Sequence, residues 1–199
     1  MKILALNGSP NKDGCTAFLL NTVLNAAKEA GAEVEMEYVQ SAILECSTPF
    51  CVACSTPCNQ SCYAGTGVER IFAKMCEADV ILVGSPSYFG TVSAQIKALF
   101  DKSRDLRGKR ALIGKLGAAV SVGASKYGGQ QTTQRAIHDM MLVQGMVIVG
   151  DSADFDDLRV PMGHQGVGAH RPAAEDTYAV KRAEAMGRQL AKLTAIAVK

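Results

Sequence analysis

Residues 2–16, KILALNGSPNKDGCT, combine a short apolar run with a polar loop that contains two glycines. The run 3–6 predicts a buried strand, and residues 16–30 place apolar side chains on one face of a predicted helix. A strand, a loop and a helix in this order are typical of an α/β domain. The stretch therefore predicts a ligand site at the loop, where the helix presents its free N–H groups.

The polar loop predicts a site for a single phosphate group. A Walker A loop ends in Gly-Lys-Ser/Thr, but here Gly14 is followed by Cys15 and Thr16. The glycines also do not fit the G-x-G-x-x-G fingerprint of dinucleotide sites. Ser9, Asn11 and Thr16 offer side-chain donors beside the backbone N–H groups of the helix. The alternative is a polar turn in which Thr16 only caps the helix.

The rest of the chain alternates predicted strands and helices, which is typical of a parallel sheet covered on both faces. Further strands are expected over residues 33–39, 78–84, 116–122 and 146–149, and further helices over 68–76, 92–102, 130–143 and 175–197. Since no linker interrupts this pattern, we expect one domain over residues 1–199, a three-layer α/β sandwich with a five-stranded parallel sheet. Two irregular segments, 41–67 and 151–172, are expected to be long loops, the first an inserted cysteine-rich loop.

Two more loops follow predicted strands at the same edge of the sheet, because the carboxyl ends of parallel strands lie together. The loop 85–90 combines a proline and a glycine with two aromatic side chains, which suits a flat, partly polar ring system. The glycine-rich loop 123–130 lets a ligand approach its backbone closely. The three loops match the flavodoxin arrangement, with an FMN phosphate in the first and the ring system between the others. The predicted FMN contacts are Ser9, Asn11, Gly14, Cys15, Thr16, Pro86, Ser87, Tyr88, Phe89, Gly90, Ser121, Gly123, Gly128 and Gly129.

The composition is that of a globular protein, since 48% of the residues are apolar, 20% are charged and the net charge is +2. The sequence has no basic run and no tryptophan, which argues against a nucleic-acid surface. The apolar run 3–6 is too short for a signal peptide, and no segment approaches the roughly 18 apolar residues of a membrane span. We therefore expect a cytoplasmic protein with no nucleic-acid or membrane partner, in a compartment where disulfides are disfavoured.

Five of the seven cysteines fall between residues 46 and 62, and four of them have the spacing C-x2-C-x3-C-x3-C: Cys51, Cys54, Cys58 and Cys62. Thiolates this close in sequence would repel or oxidise unless a metal binds them. Structural zinc usually takes its ligands from two separated pairs, whereas one compact run is similar to the ligation of a bacterial-ferredoxin cluster. The spacing favours a [4Fe–4S] centre on these four cysteines, with zinc, disulfides or a thiol relay as the alternatives.

A different ligand set uses Cys46. Cys46, Cys51 and Cys54 have the C-x4-C-x2-C spacing of plant-type [2Fe–2S] ligands, which would need a distant fourth cysteine such as Cys76. Cys76 falls in the predicted helix 68–76, where a cysteine is more often a buried core thiol. Cys46 also stays open as a substitute for Cys62 in a four-cysteine site.

With these motifs, the sequence resembles the iron–sulfur flavoproteins, a branch of the flavodoxin-like NADPH-dependent FMN reductases. The resemblance covers nearly the whole length and rests on the blocks 7–12, 78–90, 92–101, 117–123, 128–130, 137–140 and 145–151. The chain departs from the family in its cysteine motif, which is usually C-x2-C-x2-C followed by a longer gap. Here both later gaps have three residues, Cys46 is additional, and the loop 161–172 is longer than in close members.

The resemblance implies an oxidoreductase that is a homodimer or a dimer of dimers, with one FMN and one [4Fe–4S] cluster per chain. It implies electron transfer from a ferredoxin-type donor through the cluster to a flavin, which can belong to a neighbouring subunit. The expected acceptor is small, such as oxygen, peroxide or a quinone.

No side chain is predicted as a catalytic acid or base, because the cofactors supply the redox chemistry. His138 is expected to be structural or at a subunit contact, and His164 and His170 to be exposed on a mobile loop. Two other functions stay open: an NAD(P)H-dependent FMN or quinone reductase whose cysteine loop binds zinc or no cluster, and a non-enzymatic redox carrier or sensor.

Overall fold

The central sheet is parallel in every pairing of the computed structural model, which describes residues 2–151 and 164–197. Its strands run in the order β2-β1-β3-β4-β5, and β6 also pairs with β4. The predicted five-stranded parallel sheet is therefore confirmed. The strands are β1 (Lys2–Asn7), β2 (Glu33–Tyr38), β3 (Val80–Pro86), β4 (Leu116–Gly123), β5 (Val147–Ile148) and β6 (Val167–His170).

The fifth position of the sheet is filled by two separate pieces of chain. β5 pairs with Leu116 and Gly117 at the start of β4, whereas β6 pairs with residues 120–123 at its end. The prediction of a long loop over 151–172 is therefore wrong for residues 167–170. Four residues rich in glycine and alanine carry too weak a strand pattern to be recognised, and pairing with β4 stabilises them. Residues 152–163 of that segment lie outside the described part of the chain.

Helices cover both faces of the sheet, as the sequence predicts. One apolar core joins α1 and α7 to Ile3 and Ala5, and the other joins α3, α4 and α6 to Leu4 and Leu6. Alternate residues of β1 point to opposite faces, so one strand contributes to both cores. The helices are α1 (Cys15–Glu29), α2 (Val39–Leu44), α3 (Gly67–Glu77), α4 (Ala94–Lys102), α5 (Arg104–Gly108), α6 (Gln130–Val143) and α7 (Thr177–Ala197).

The two short helices α2 and α5 are absent from the sequence prediction, because six and five residues are too few to show a repeating apolar face. Both matter for the cysteine loop, since α2 precedes it and α5 lies against it. None of the helices in the described ranges combines the length and apolar character that a bilayer crossing requires.

Candidate functional site

The loops after β1, β3 and β4 lie together at one edge of the sheet, because these three strands are parallel neighbours. Backbone hydrogen bonds connect the first loop to β3 and the second loop to β4. Gly8 N donates to Gly84 O at 2.8 Å, and Ser87 N donates to Val122 O at 2.8 Å. A ligand at this edge can therefore contact all three loops.

The first loop is shaped by a series of short side-chain contacts. Ser9 N donates to Asn7 Oδ1 at 2.9 Å, Asn11 N donates to Ser9 Oγ at 3.1 Å, and Asp13 N donates to Asn11 Oδ1 at 3.2 Å. Such contacts to a backbone two residues on are typical of tight polar turns. Because Ser9 and Asn11 accept these bonds, the Ser9 hydroxyl hydrogen and the Asn11 amide hydrogens remain available as donors.

The start of α1 offers backbone donors to an anion. Gly14 is the N-cap residue, and none of the described side chains caps the first N–H groups. These groups carry partial positive charge. Cys15 occupies the first helical position and lines a cavity of about 390 Å³ with Ala124 and Arg171, whereas Thr16 is buried. The geometry of this loop suits a phosphate.

Arg171, which the sequence analysis missed, brings a cation to the same cavity. It follows β6 directly, and its N–H donates to Gly123 O at 3.1 Å, which holds it beside the third loop. A guanidinium adds its full charge to the partial charge of the α1 N-terminus. The only sequence signal for its position is the weak strand pattern of residues 167–170.

The second loop presents two aromatic side chains at the edge of the sheet. Tyr88 and Thr91 exchange backbone hydrogen bonds of 3.0 and 3.1 Å, and between them Phe89 and Gly90 have φ values of +50° and +76°. This turn leaves Phe89 fully exposed and Tyr88 about half exposed. At its base, Ser87 Oγ is buried and finds no hydrogen-bond partner among the described residues. Buried polar atoms are normally paired, so the Ser87 hydroxyl is a candidate donor to a ligand bound at this edge.

Gly129 brings the second and third loops into contact. Its φ of +83° favours glycine, and a Cβ at this position would lie 2.8 Å from Ser87 Oγ and 2.9 Å from Gly90 Cα. Gly128 packs in the same way within the third loop, where a Cβ would lie 2.9 Å from Ser125 O. Only glycine at these two positions therefore lets the second and third loops pack closely enough to form one continuous surface.

Ser121 and Gly123 support the third loop from within. The buried Ser121 Oγ donates to Gln130 O and accepts from Gln134 Nε2, both at 3.0 Å. The Gln130 amide in turn donates to Ser125 O at 2.7 Å, and a Cβ on Gly123 would lie 2.6 Å from Gln130 Nε2. Ser121 therefore holds the loop in shape from the core.

The two ends of the cysteine loop are held together. Glu45 Oε2 accepts from Gly67 N at 2.6 Å, and Thr66 caps α3 by accepting from Val68 N. Cys46 lies between these ends in the apolar core, where its Sγ donates to Ala42 O at 3.7 Å and lies 3.6 Å from Thr66 Oγ1. Cys46 is therefore placed as a core thiol.

Three of the remaining loop cysteines border the turn between α4 and α5. Cys62 Sγ accepts a hydrogen bond from Lys102 Nζ at 3.2 Å. Cys58 lines a cavity of about 780 Å³ and Cys51 one of about 350 Å³, and Arg104 lines both. Nearby cations stabilise thiolates, so the surface that Lys102 and Arg104 form beside these cysteines fits an anionic, thiolate-ligated centre.

All seven cysteines belong to the described part of the chain and are free thiols, and Cys76, expected as a buried core thiol, is exposed on α3. Within residues 2–151 and 164–197, no three Cys, His, Asp or Glu side chains are grouped to hold one metal ion. A cubane cluster spreads its four cysteines over four different irons, so its ligands lie further apart than those of a single ion. The cysteine thiols and the neighbouring cations Lys102 and Arg104 are thus compatible with such a cluster.

Two buried side chains stabilise this face of the protein. Tyr63 packs edge-on against Phe72, with ring centroids 5.1 Å apart. Burial raises the pKa of the Tyr63 hydroxyl, and the neighbouring Cys58 raises it further, so the tyrosine stays neutral. Burial lowers the pKa of His138, although Asp139 opposes the shift. His138 is buried in the single chain, and its role as a structural residue or at a subunit contact stays a prediction.

The other two histidines differ from each other. His164 is exposed, as expected. His170 was expected on a mobile loop and instead ends β6, where its backbone N–H donates to Asp176 Oδ2 at 3.1 Å. The strand that the sequence analysis missed accounts for this difference.

Helix α4 separates the cysteine loop from the edge with the three loops. Its N-cap residue is Ser93, whose Oγ donates to Gly8 O at 2.7 Å, and its last residue is Lys102, which contacts Cys62. A helix of this length rises about 13 Å, since each residue adds about 1.5 Å. The two candidate sites of one chain therefore lie at opposite ends of α4.

Comparisons with known proteins agree with this architecture. An iron–sulfur flavoprotein of Methanocaldococcus jannaschii is 39% identical over 196 residues, which is 97% of each chain. One of Methanosarcina thermophila is 37% identical over 192 residues, which is 96% of this chain and 93% of its own. A WrbA-like flavodoxin structure from Agrobacterium tumefaciens has 14% identity and a TM-score of 0.68 over 98% of both chains, which shows a shared fold.

The family model described as NADPH-dependent FMN reductase matches residues 1–156, which include all three loops and the cysteine loop. The match and the near full-length relatives agree with the fold and with the glycine-dependent edge described above. The chain thus belongs to the NADPH-dependent FMN reductase family, in its iron–sulfur flavoprotein branch, and is an FMN-dependent oxidoreductase.

Proposed function

We propose that this oxidoreductase takes electrons singly from a ferredoxin-type donor through a [4Fe–4S] centre at the cysteine loop and passes them to a small acceptor at the FMN edge. The observation that carries the proposal is the presence of cations beside the loop cysteines: Lys102 contacts Cys62, and Arg104 lines the cavities at Cys58 and Cys51. The names of the relatives, iron–sulfur flavoproteins, support the same cofactor pair.

We assign the cluster to Cys51, Cys54, Cys58 and Cys62. Cys46 is excluded from this set because its thiol is buried and contacts Ala42 and Thr66. Separate Cys46→Ser and Cys62→Ser variants test the assignment through their iron and sulfide content. We expect Cys46→Ser to keep the cluster and Cys62→Ser to lose it. The reverse result would mean that Cys46, and not Cys62, is the fourth ligand.

We assign the FMN phosphate to the first loop and the ring system to the edge between the second and third loops. The uncapped start of α1 and Arg171 supply positive charge for the phosphate. The orphaned Ser87 hydroxyl and the exposed aromatic pair suit the ring. The proposed contacts are Ser9, Asn11, Gly14, Cys15, Thr16, Pro86, Ser87, Tyr88, Phe89, Gly90, Gly123, Gly128, Gly129 and Arg171, with Ser121 as a support.

When bound, the cluster supplies one-electron exchange and FMN supplies two-electron storage. Within one chain the two proposed sites lie at opposite ends of α4, a helix about 13 Å long. Transfer to a flavin of a neighbouring subunit, and hence a homodimer or a dimer of dimers, stays what the family resemblance implies. Two donor molecules and two protons balance each two-electron reduction of oxygen or a quinone.

The surface beside the cysteine loop suits an acidic electron-carrier protein. The cavity at Cys58 is also lined by Arg107 and Arg110, which are exposed, and by the exposed apolar Ile113 and Leu142. Complementary charge accelerates and orients the encounter of two proteins. The same groove leads from the surface to a proposed cluster ligand.

A second candidate is an NAD(P)H-dependent FMN or quinone reductase. It is favoured by the family description and by an NAD(P)H dehydrogenase (quinone) of Chromohalobacter salexigens that is 43% identical over 76 residues, or 38% of this chain. Stopped-flow mixing of the holoprotein with reduced ferredoxin or with NADPH separates the two. We expect fast flavin reduction by ferredoxin alone, whereas fast reduction by NADPH alone would establish the second candidate.

A further inference from the structure

Lys102 is an unusual residue because its cationic side chain is buried inside the protein. Only 1% of the residue is exposed, at the last position of α4. A buried charge is costly unless an opposite charge and hydrogen bonds compensate for it. Lys102 therefore needs an anionic partner close to its ammonium group.

The partner that the structure gives Lys102 is a thiol. Its Nζ donates to Cys62 Sγ at 3.2 Å, and none of the ion pairs among the described residues involves it. Lys97 on the same helix is different, because it is exposed and paired with Asp101 at 2.7 Å. An exposed ion pair therefore accounts for the charge of Lys97, whereas no ion pair among the described residues compensates the buried charge of Lys102.

We propose that Lys102 is a positioning residue for the iron–sulfur centre, donating a hydrogen bond to the Cys62 ligand and raising the reduction potential of the cluster. This inference rests on the proposed function, because it needs a cluster on Cys62. Helix α4 would then have two roles: it packs in the core, and it places the Lys102 cation beside the cysteine loop.

The expected direction follows from charge. Reduction adds one electron to a cluster that its thiolates already make anionic, so a cation beside one ligand favours the reduced form over the oxidised form. A hydrogen bond to a ligand sulfur acts in the same direction, because it withdraws electron density from the cluster. Burial strengthens both effects, since solvent does not screen the contact.

A Lys102→Met variant tests the inference in the intact holoprotein. Methionine keeps much of the side-chain volume, but removing one member of a buried pair is destabilising, so Lys102→Gln, which keeps a donor, is prepared beside it. The readout is the midpoint potential of the cluster, from an anaerobic redox titration followed by electron paramagnetic resonance. Lys102→Arg keeps the charge, and Lys97→Met removes an exposed charge from the same helix.

We expect Lys102→Met to lower the ratio of reduced to oxidised cluster at a given potential by about tenfold or more, a shift of 59 mV for one electron. Lys102→Arg is expected to retain most of the wild-type potential, and Lys97→Met all of it. Loss of the cluster from a Lys102→Met protein that still binds FMN, with Lys97→Met intact, would also support the inference.

An unchanged potential in Lys102→Met with a full cluster would overturn the inference and leave the proposed function intact. Wild-type protein without iron and sulfide would overturn both. If Lys102→Met does not fold, Lys102→Gln tests the charge alone, because glutamine keeps a donor and removes the charge. An unchanged potential in Lys102→Gln with a full cluster would then overturn the claim that the Lys102 charge raises the potential.

Discussion

At the residue scale, Gly129 determines whether the second and third loops can touch. Alanine there would adopt a strained φ of +83° and meet Ser87 Oγ, at a cost of about 1–2 kcal/mol. We expect Gly129→Ala to weaken FMN binding by roughly tenfold, measured by fluorescence titration of the apoprotein.

Gly31→Ala is the matched control for that variant. Its φ is also positive, at +93°, but nothing lies within 4 Å of its Cβ position. It should lose stability without losing FMN affinity. Wild-type affinity in Gly129→Ala would contradict the assignment of the flavin edge.

His138 gives the protein a pH-dependent stability. Burial lowers its folded pKa below the usual 6.5, so the unfolded chain binds a proton that the folded protein excludes. Stability is therefore full above the usual pKa and falls as the pH drops below it. In urea unfolding between pH 7 and 5, His138→Leu should lose less stability than wild type, whereas the exposed His164→Gln should follow wild type. Equal slopes for wild type and His138→Leu would contradict this account.

At the scale of elements, α4 depends on its cap. Ser93 Oγ accepts from Ile96 N at 3.4 Å and donates to Gly8 O at 2.7 Å. We expect Ser93→Ala to cost about 1–2 kcal/mol in urea unfolding, because a helix cap is lost and a carbonyl loses its donor. Thr22→Ala, which removes a hydroxyl from the surface of α1, should cost much less. An equal cost for both variants would mean that the cap has no special role.

The sequence predicts those strands and helices whose own residues carry a clear hydrophobic pattern. Strands β3 and β4 are long apolar runs buried on both faces, and such runs are recognisable without any knowledge of their neighbours. In contrast, β6 is a strand only because β4 offers it a partner. Helices α2 and α5, with six and five residues, are likewise too short to show a repeating apolar face.

The same distinction holds for the candidate site. The three loops could be located from the sequence because each follows a recognisable strand. The positions of Lys102 and Arg171 depend on contacts with Cys62 and Gly123, which lie 40 and 48 residues away in sequence. No local pattern carries such information.

At the scale of the whole molecule, a buried ion pair connects α7 to the rest of the domain. Arg182 bonds to the Asp151 carboxylate and donates to Gly166 O at 2.7 Å. Removing one member of a buried pair costs about 3–5 kcal/mol. We expect Arg182→Met to lower the thermal midpoint by many degrees, whereas Lys181→Met, at an exposed position, should leave it nearly unchanged. A small effect in Arg182→Met would mean that apolar packing alone holds α7.

The arrangement of the molecule also shows how the two proposed cofactor sites can fit in one small domain. The flavin edge uses the loops after β1, β3 and β4, and the cysteine loop packs over one face toward the far end of α4. The sequence predicted both sites, but their separation became visible only from the contacts at the two ends of this helix.

The proposed electron path requires one chain to hold both FMN and a cubane cluster. The most direct measurement is the iron, acid-labile sulfide and FMN content of protein purified without oxygen. The account predicts about four irons, four sulfides and one FMN per chain. Zinc in place of iron, or FMN without any sulfide, would contradict it.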